Sequence, residues 1–258
     1  MTRVLVTGGT GVLGRELVPR LKNAGYTVRV MSRRARRPDE WPEVEWAQAN
    51  LETGQGLAEA LSGVNVIVNA ATSPSRHTWQ VDVDGVRRLL EKAEGSGVAH
   101  VLHISIVGIE RVPHPYYRPK VAAEAVVTEG GVPWSILRAT QFHPLLDGVL
   151  QPFARLPIVP LATDFQFQPI DPGEVAARLV ECVALGPGGR LPDIGGPEVL
   201  RFGDMARAWF AARGLRRPII HVPLPVAYAK GYRNGYNTCP EQKYGKVTWA
   251  EWVRRKYK

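Results

Sequence analysis

Short unbroken apolar runs alternate along this chain with apolar residues spaced three and four apart. Residues 3–7 (RVLVT) are a brief Val-rich run ended by glycine, which reads as a buried strand. Beyond the glycines, Val12, Leu13, Leu17, Val18 and Leu21 recur at helical spacing until Gly25, which predicts a helix. Pro19 falls inside that pattern and should kink the helix or loosen one hydrogen bond. Further strands are expected at 26–31, 44–49, 65–71, 98–106 and 134–138, the run at 65–71 being nearly all apolar and therefore central. Helices are expected at about 56–62, at 83–94 with Val86, Leu89, Leu90 and Ala93 on one face, and at 116–129. This order predicts an α/β architecture, a doubly wound parallel sheet whose ligands sit beyond the carboxyl ends of the strands.

After about Thr140 the rhythm loosens, and Pro144, Pro152, Pro157, Pro160, Pro169 and Pro172 punctuate the chain. The run Asp171-Pro172-Gly173-Glu174 predicts a capped helix reaching Leu185, with Asp at the cap, Pro in the first turn and Glu three residues on. Further helices are expected at 203–213 and 248–257.

The stretch TGGTGVLG joins the first strand to the first helix with Gly8, Gly9, Gly11 and Gly14. Glycine is costly unless a backbone needs unusual angles or close approach. At a strand-to-helix turn those needs are specific. Gly8 would allow the tight turn, Gly11 would let a pyrophosphate reach the backbone, and Gly14 would let helix and strand pack closely. The free N–H groups of the helix start, with the dipole behind them, suit phosphate. A P-loop would require Gly-Lys-Ser/Thr, and Gly14-Arg15-Glu16 stands there instead. The expectation is a Rossmann-type dinucleotide-binding core over 1–140. An irregular substrate-binding region over 141–258 would be packed on it as part of one structural unit.

The end of the second strand bears on which dinucleotide. Acidic residues there bind the ribose 2′-hydroxyl of NAD, whereas arginine accommodates the extra phosphate of NADP. Here Ser32, Arg33 and Arg34 follow Met31, with no carboxylate before Asp39. NADP(H) is expected with these three as the clamp, NAD remaining possible.

The whole chain has 258 residues, 45% hydrophobic and 22% charged, enough for a sizeable core without staples. Cys182 and Cys239 lie far apart, so neither a disulfide framework nor a metal site is indicated. The first apolar run is too short for a signal peptide and no stretch approaches a membrane span, so a soluble cytoplasmic protein is expected. A net charge of +9 raises nucleic acid as a partner, with basic residues bunched at Arg33, Arg34, Arg36, Arg37 and at Arg254, Arg255, Lys256, Lys258. No nucleic-acid-binding motif accompanies them, so a small-molecule substrate is expected instead. Oligomeric state is not legible.

One more motif narrows the reading. In PYYRPK, Tyr116 precedes Lys120 by four residues, so both fall on one helix face, and Ser105 ends the strand before it in HISIVG. Together with the glycine loop, NAA at Asn69 to Ala71, VDVDGVRRLLEKA, LRATQFH and TWAEWV, these residues resemble the short-chain dehydrogenase/reductase superfamily, in its atypical NmrA-like NAD(P)H-binding branch. The resemblance implies Ser105, Tyr116 and Lys120 as the catalytic set. Serine would orient a carbonyl and tyrosine would exchange the proton. The lysine ammonium would favour phenolate and hold the nicotinamide ribose. It also implies cofactor contacts at Thr10, Val12 and Leu13 within the loop, and at Asn50 and Leu51 beside the adenine. Ala70, Ala71 and Thr72 would follow the fourth strand, and Ala139, Thr140, Gln141 and Phe142 the sixth.

Two departures stand out. Asn50 replaces the usual aspartate, and Ala70 stands where many relatives have glycine. His77 is either a loop residue bordering the nicotinamide or merely exposed, and His103 is expected to be packed in its strand. Asp82 and Asp84 are expected to be helix caps. The substrate lining is expected from 74–79, 141–146 and 160–168. Phe165 and Phe167 in the last of these point to a small, mainly apolar carbonyl or enone. Two alternatives stay open: a cofactor-binding redox sensor without turnover, and a nucleotide-sugar epimerase.

Overall fold

A computed structural model describes residues 1–36, 41–73 and 77–258. Arg37, Asp39 and the part of the expected lining at 74–76 lie outside the described residues. The chain begins β1 (Arg3–Thr7), α1 (Val12–Asn23), β2 (Thr27–Ser32), β3 (Glu45–Gln48), α2 (Leu57–Leu61) and β4 (Val66–Asn69). A π-helical turn (Trp79–Asp84) leads into α3 (Gly85–Ala93), followed by β5 (His100–Ile106), α4 (Tyr117–Glu129) and β6 (Trp134–Ala139). Then come α5 (His143–Leu150), a short 3-10 turn, β7 (Val159–Leu161), β8 (Gln166–Phe167), α6 (Pro172–Leu185) and β9 (Gly189–Arg190). The last elements are β10 (Leu200–Arg201), α7 (Phe202–Ala212), β11 (Ile219–His221), α8 (Ala229–Arg233) and α9 (Trp249–Lys256). Among the described residues no helix is long and apolar enough to cross a membrane.

Two compact units interleave along the chain, where the sequence reading drew a single boundary at residue 140. The first comprises Met1–Ser105, Arg118–Leu137 and Ala176–Leu191; the second comprises Ile106–Tyr117, Arg138–Val175 and Pro192–Lys258.

The first unit holds a parallel seven-stranded sheet ordered β3-β2-β1-β4-β5-β6-β9. The doubly wound Rossmann-type α/β fold expected from the alternation is therefore present. β4 is buried along its whole length, as an apolar run with sheet on both sides must be. The direction of winding reverses between the parallel neighbours β1 and β4, whose adjacent ends are Thr7 and Asn69. That reversal is where doubly wound sheets open a crevice for ligands. The core here is aliphatic, with Leu5, Ile67, Leu89, Val101 and Ile136 among its buried members.

Two features of this unit differ from the sequence reading. The helix expected at 83–94 starts earlier, as the π-helical turn, and becomes α-helical at Gly85, where an added Cβ would lie 2.8 Å from the Leu51 side chain. The sheet also gains β9, whose two residues pair with Ser135 and Ile136. So short an edge strand carries no apolar run to betray it. Pro19 is accommodated inside α1, where it removes one donor from the helix ladder.

In the second unit β8 pairs antiparallel with β10, and β7 pairs parallel with β11. Its core is aromatic: Phe165, Phe167, Phe202, Trp209, Phe210 and Trp249 are all buried. α5 was hidden in the sequence because Pro144 reads as a break. It occupies the first turn, where no donor is needed. Glu174 does not close the box expected with Asp171. Its Oε1 instead accepts the backbone N–H groups of Lys246 (2.6 Å) and Val247 (3.2 Å), tying down a distant segment. A full capping box occurs at α9, where Thr248 and Glu251 satisfy each other's backbone donors.

Candidate functional site

The glycine loop between β1 and α1 is built as its sequence requires. Gly8 has φ +68°, and a Cβ there would lie 2.6 Å from the carbonyl oxygen of Ala70. This turn therefore needs glycine and lies directly against the exit of β4. Gly11 N–H closes onto Gly8 O at 2.9 Å. A Cβ on Gly14 would fall 2.3 Å from Gly8 O and 2.4 Å from Gly9 Cα, so the start of α1 packs on the loop's own backbone. No side chain caps α1 and its first turn carries no acid, while Arg15 Nε braces the loop through Thr10 O at 3.1 Å. Val12 is exposed beside this helix start and Leu13 is buried beneath it. A glycine-lined cradle at an uncapped helix start has the chemistry that suits a phosphate.

Polar side chains knit the strand ends at the topological switch point. Ala71 N–H donates to Thr7 Oγ1 (3.1 Å), and Thr7 donates to Asn69 Oδ1 (2.5 Å). Asn69 Nδ2 in turn donates to His103 Nδ1 at 2.9 Å. The other His103 nitrogen therefore carries the proton, and it is buried with no partner among the described residues. Burial first, and then the charge of Lys120, push the His103 pKa down to about 3, so the ring is neutral. The packed histidine expected from the sequence is what the structure contains.

Lys120, in the first turn of α4, is buried. Its Nζ lies 2.6 Å from Asp82 Oδ2 and donates to Thr72 Oγ1 at 2.8 Å. Thr72 donates to the same Asp82 oxygen (2.9 Å), and Ser73 N–H reaches the other one (3.1 Å). Asp82 was expected to be a cap. It is instead a carboxylate with only 2% of its surface exposed, paired with the lysine. A signal was present: Asp82, Val86, Leu89 and Ala93 share one helical face, so an acid heads an apolar stripe. A buried acid there requires a cationic partner.

The remaining expected residues are placed as follows. Ser105, near the end of β5, is 4% exposed, and its buried hydroxyl makes no hydrogen bond to a described residue. Ser32 Oγ accepts the Arg34 N–H at 3.1 Å, and β3 holds the carbonyls of Arg33 and Arg34 through Gln48 and Trp46. The backbone of this turn is fixed while both arginine side chains project outward, exposed. Asn50 Oδ1 accepts Glu52 N–H (2.9 Å), and Leu51 is buried in the core. His77 is half-buried, with Nδ1 2.9 Å from Glu52 Oε1.

In the second unit, Tyr116 lies in the turn before α4, half-buried, its N–H donating to His114 Nδ1 at 3.2 Å. Tyr117 is buried beside Ile109 and Val112, its hydroxyl 3.1 Å from that of Tyr232. Ala139 and Phe142 pair through their backbones with Ile194 and Ile170. Thr140 donates to Gln168 O, and Gln141 Nε2 donates to Asn237 O at 3.1 Å. Both side chains are buried in these bonds. Phe165 and Phe167, read as substrate lining, are 6% and 9% exposed and belong to the aromatic core. Leu146 is in that core too, and His143 is buried against Trp249 and Trp252.

The chain resembles known proteins on both sequence and fold. It is 32% identical over 155 residues to the photosystem II assembly factor Ycf39 of Cyanophora paradoxa, a match covering 56% of this chain and 47% of that relative. The chain thus spans about half the length of that protein. It is 28% identical over 232 residues to a (4-alkanoyl-5-oxo-2,5-dihydrofuran-3-yl)methyl phosphate reductase of Streptomyces griseus, covering 88% of this chain and 79% of the relative. The NADPH complex of the Escherichia coli quinone oxidoreductase QOR2 superposes with a TM-score of 0.79 at 14% identity, covering 99% of this chain and 100% of that one. A family model described as NAD(P)H-binding matches residues 8–184, from the first glycine of the cradle to α6. The chain accordingly belongs to the NAD(P)H-binding family.

Proposed function

We propose that this protein is an NADP(H)-dependent oxidoreductase acting on a small carbonyl or enone compound. The observation that carries the cofactor choice is the turn after β2. Its backbone is anchored to β3, and the exposed guanidinium groups of Arg33 and Arg34 make no hydrogen bond or ion pair with a described residue. Two such groups suit a ribose 2′-phosphate, which takes paired hydrogen bonds from guanidinium. The nicotinamide, when bound, supplies or accepts the hydride. Tyr116 gives or takes the proton at the substrate oxygen, the Ser105 hydroxyl holds that oxygen, and Lys120 holds the nicotinamide ribose. The unsatisfied Ser105 hydroxyl supports its role; Tyr116 stands just before α4 rather than on its face, so the other two are supported by the resemblance that PYYRPK carries. The reductase name of the Streptomyces griseus relative supports a redox reaction. The apolar character of the substrate loses its basis, since Phe165 and Phe167 are core residues.

Fluorescence titration with NADPH and NADH tests the cofactor assignment. NADPH should bind more tightly, and replacing Arg33 and Arg34 with alanine should cost about ten- to a hundredfold in NADPH affinity with little change for NADH. Equal or tighter NADH binding overturns the clamp. On any accepted carbonyl, Tyr116→Phe should lower the rate at least about a hundredfold with NADPH affinity nearly unchanged.

A second reading, cofactor sensing without turnover, is favoured by the Lys120–Asp82 pair, which commits the lysine charge to a carboxylate. Tight NADPH binding with no turnover across aldehydes, ketones, quinones and enones would select it.

A further inference from the structure

The least expected buried group in the first unit is Asp82. A carboxylate placed on the core face of a helical segment is costly unless it is paired and hydrogen-bonded. Asp82 meets both conditions with Lys120, Thr72 and the Ser73 N–H. Each member constrains the next. The Ser73 N–H fixes one carboxylate oxygen, Thr72 bridges the other oxygen to Nζ, and Nζ sits 2.6 Å from the carboxylate. Thr78 Oγ1 donates to Ser73 O at 2.6 Å, which holds the Ser73 backbone from its other side. The π-helical turn carrying Asp82 is a local departure that recurs at functional sites. His103, the ring electrostatically nearest on β5, is neutral and adds no charge of its own.

We infer that Asp82 is a positioning residue: through its carboxylate and the Thr72 bridge it sets where the Lys120 ammonium stands, and thereby the affinity of the protein for its nicotinamide cofactor. The inference rests on the reading of Lys120 as a cofactor contact and holds whether or not the protein turns over. A purely structural aspartate would support the fold without acting through the lysine, and the two cases separate by coupling.

The experiment is a double-mutant cycle on NADPH affinity, read by nicotinamide fluorescence, with Asp82→Asn, Lys120→Met and the pair together, each checked by thermal melting. Asparagine keeps the shape and an oxygen for the Ser73 N–H but removes the charge. Lys120→Met should weaken NADPH about tenfold or more, Asp82→Asn should weaken it by a comparable factor, and the pair should be no weaker than Lys120→Met alone. The pair removes both charges together, so it should also melt above Asp82→Asn, which strands a buried ammonium.

Losses that multiply in the pair would overturn the inference, as would an Asp82→Asn protein with wild-type affinity while Lys120→Met is weakened. An unchanged affinity in Lys120→Met would instead overturn the cofactor role of the lysine, and this inference with it. If Asp82→Asn does not fold, the same cycle with Thr72→Val decides by the same outcomes. That variant removes the bridge and leaves the ion pair.

Discussion

The two compact units solve the same problem of burying polar groups in opposite ways. In the first, an aliphatic core leaves polar side chains at the strand ends, where Thr7, Asn69, His103, Asp82 and Lys120 engage one another. In the second, polar side chains are distributed as ties between distant segments of an aromatic core. Asp147 accepts from Trp209 Nε1 (2.7 Å), Gln151 Nε2 (3.1 Å), Lys256 Nζ (2.6 Å) and the Tyr257 hydroxyl. Gln168 binds Gly196 O and the Cys239 N–H. A sheet satisfies its own backbone, so buried side-chain polarity there can be concentrated at one place. A region of short strands and loops has many backbone and side-chain groups to satisfy, and it spreads its polar residues accordingly.

The largest effect that would sharpen this contrast belongs to Gly14. Its Cβ would strike backbone on two sides, which cannot move aside as a flexible side chain can. Gly14→Ala should therefore cost about 3 kcal/mol in denaturant unfolding and more than about a hundredfold in NADPH affinity. Near-normal binding would show that the loop does not need its close packing.

Next in size is Asp147→Ala, which strands the buried Trp209 donor of the second unit and frees three less buried ones. A loss of about 2–3 kcal/mol is expected, mostly from Trp209, because Lys256 is 39% exposed and its charge is screened. Burial opposes ionisation of Asp147, but the bonds from Lys256, Tyr257, Trp209 and Gln151 outweigh it and hold the carboxyl below its ordinary range. Its stabilisation is accordingly complete above about pH 5 and is lost as pH falls below about 4 towards the folded value. The Asp147→Asn protein should lack that acid-side decline in a pH series of melts.

Histidines give a smaller, two-sided test. Burial pushes His100 of the first unit to about 4 and His143 of the second to about 3. Each takes up a proton on unfolding below about pH 6.5, so stability should fall as pH drops from there towards 4. Among the described residues neither His143 ring nitrogen has a partner, and its ring stacks on Trp252 at 5.5 Å. His143→Phe should melt within a few degrees of wild type at pH 8 and unfold with about one proton fewer taken up between pH 4 and 6. The smallest effect is Gly148→Ala in α5, where nothing lies within 4 Å of the added Cβ. It should raise stability by about 0.5–1 kcal/mol, the reverse of Gly14→Ala.

The sequence by itself determined the doubly wound sheet and the glycine cradle, because both rest on short-range rules. Buried strands must be apolar, helices repeat every three to four residues, and only glycine fits a left-handed turn or a backbone contact. It also showed the outward arginines after β2, since a strand end and its next residues are neighbours in the chain. What needed tertiary structure were relations between segments far apart in sequence. Asp82 reads as a cap until Lys120, from a later helix, arrives 2.6 Å away. Glu174 reads as half of a capping box until the backbone at Lys246 and Val247 claims it. Phe165 and Phe167 read as a binding surface until α7 and α8 cover them with Phe202 and Tyr232. A charge or a ring takes its role from whichever partner desolvates it, and that partner is chosen by the fold.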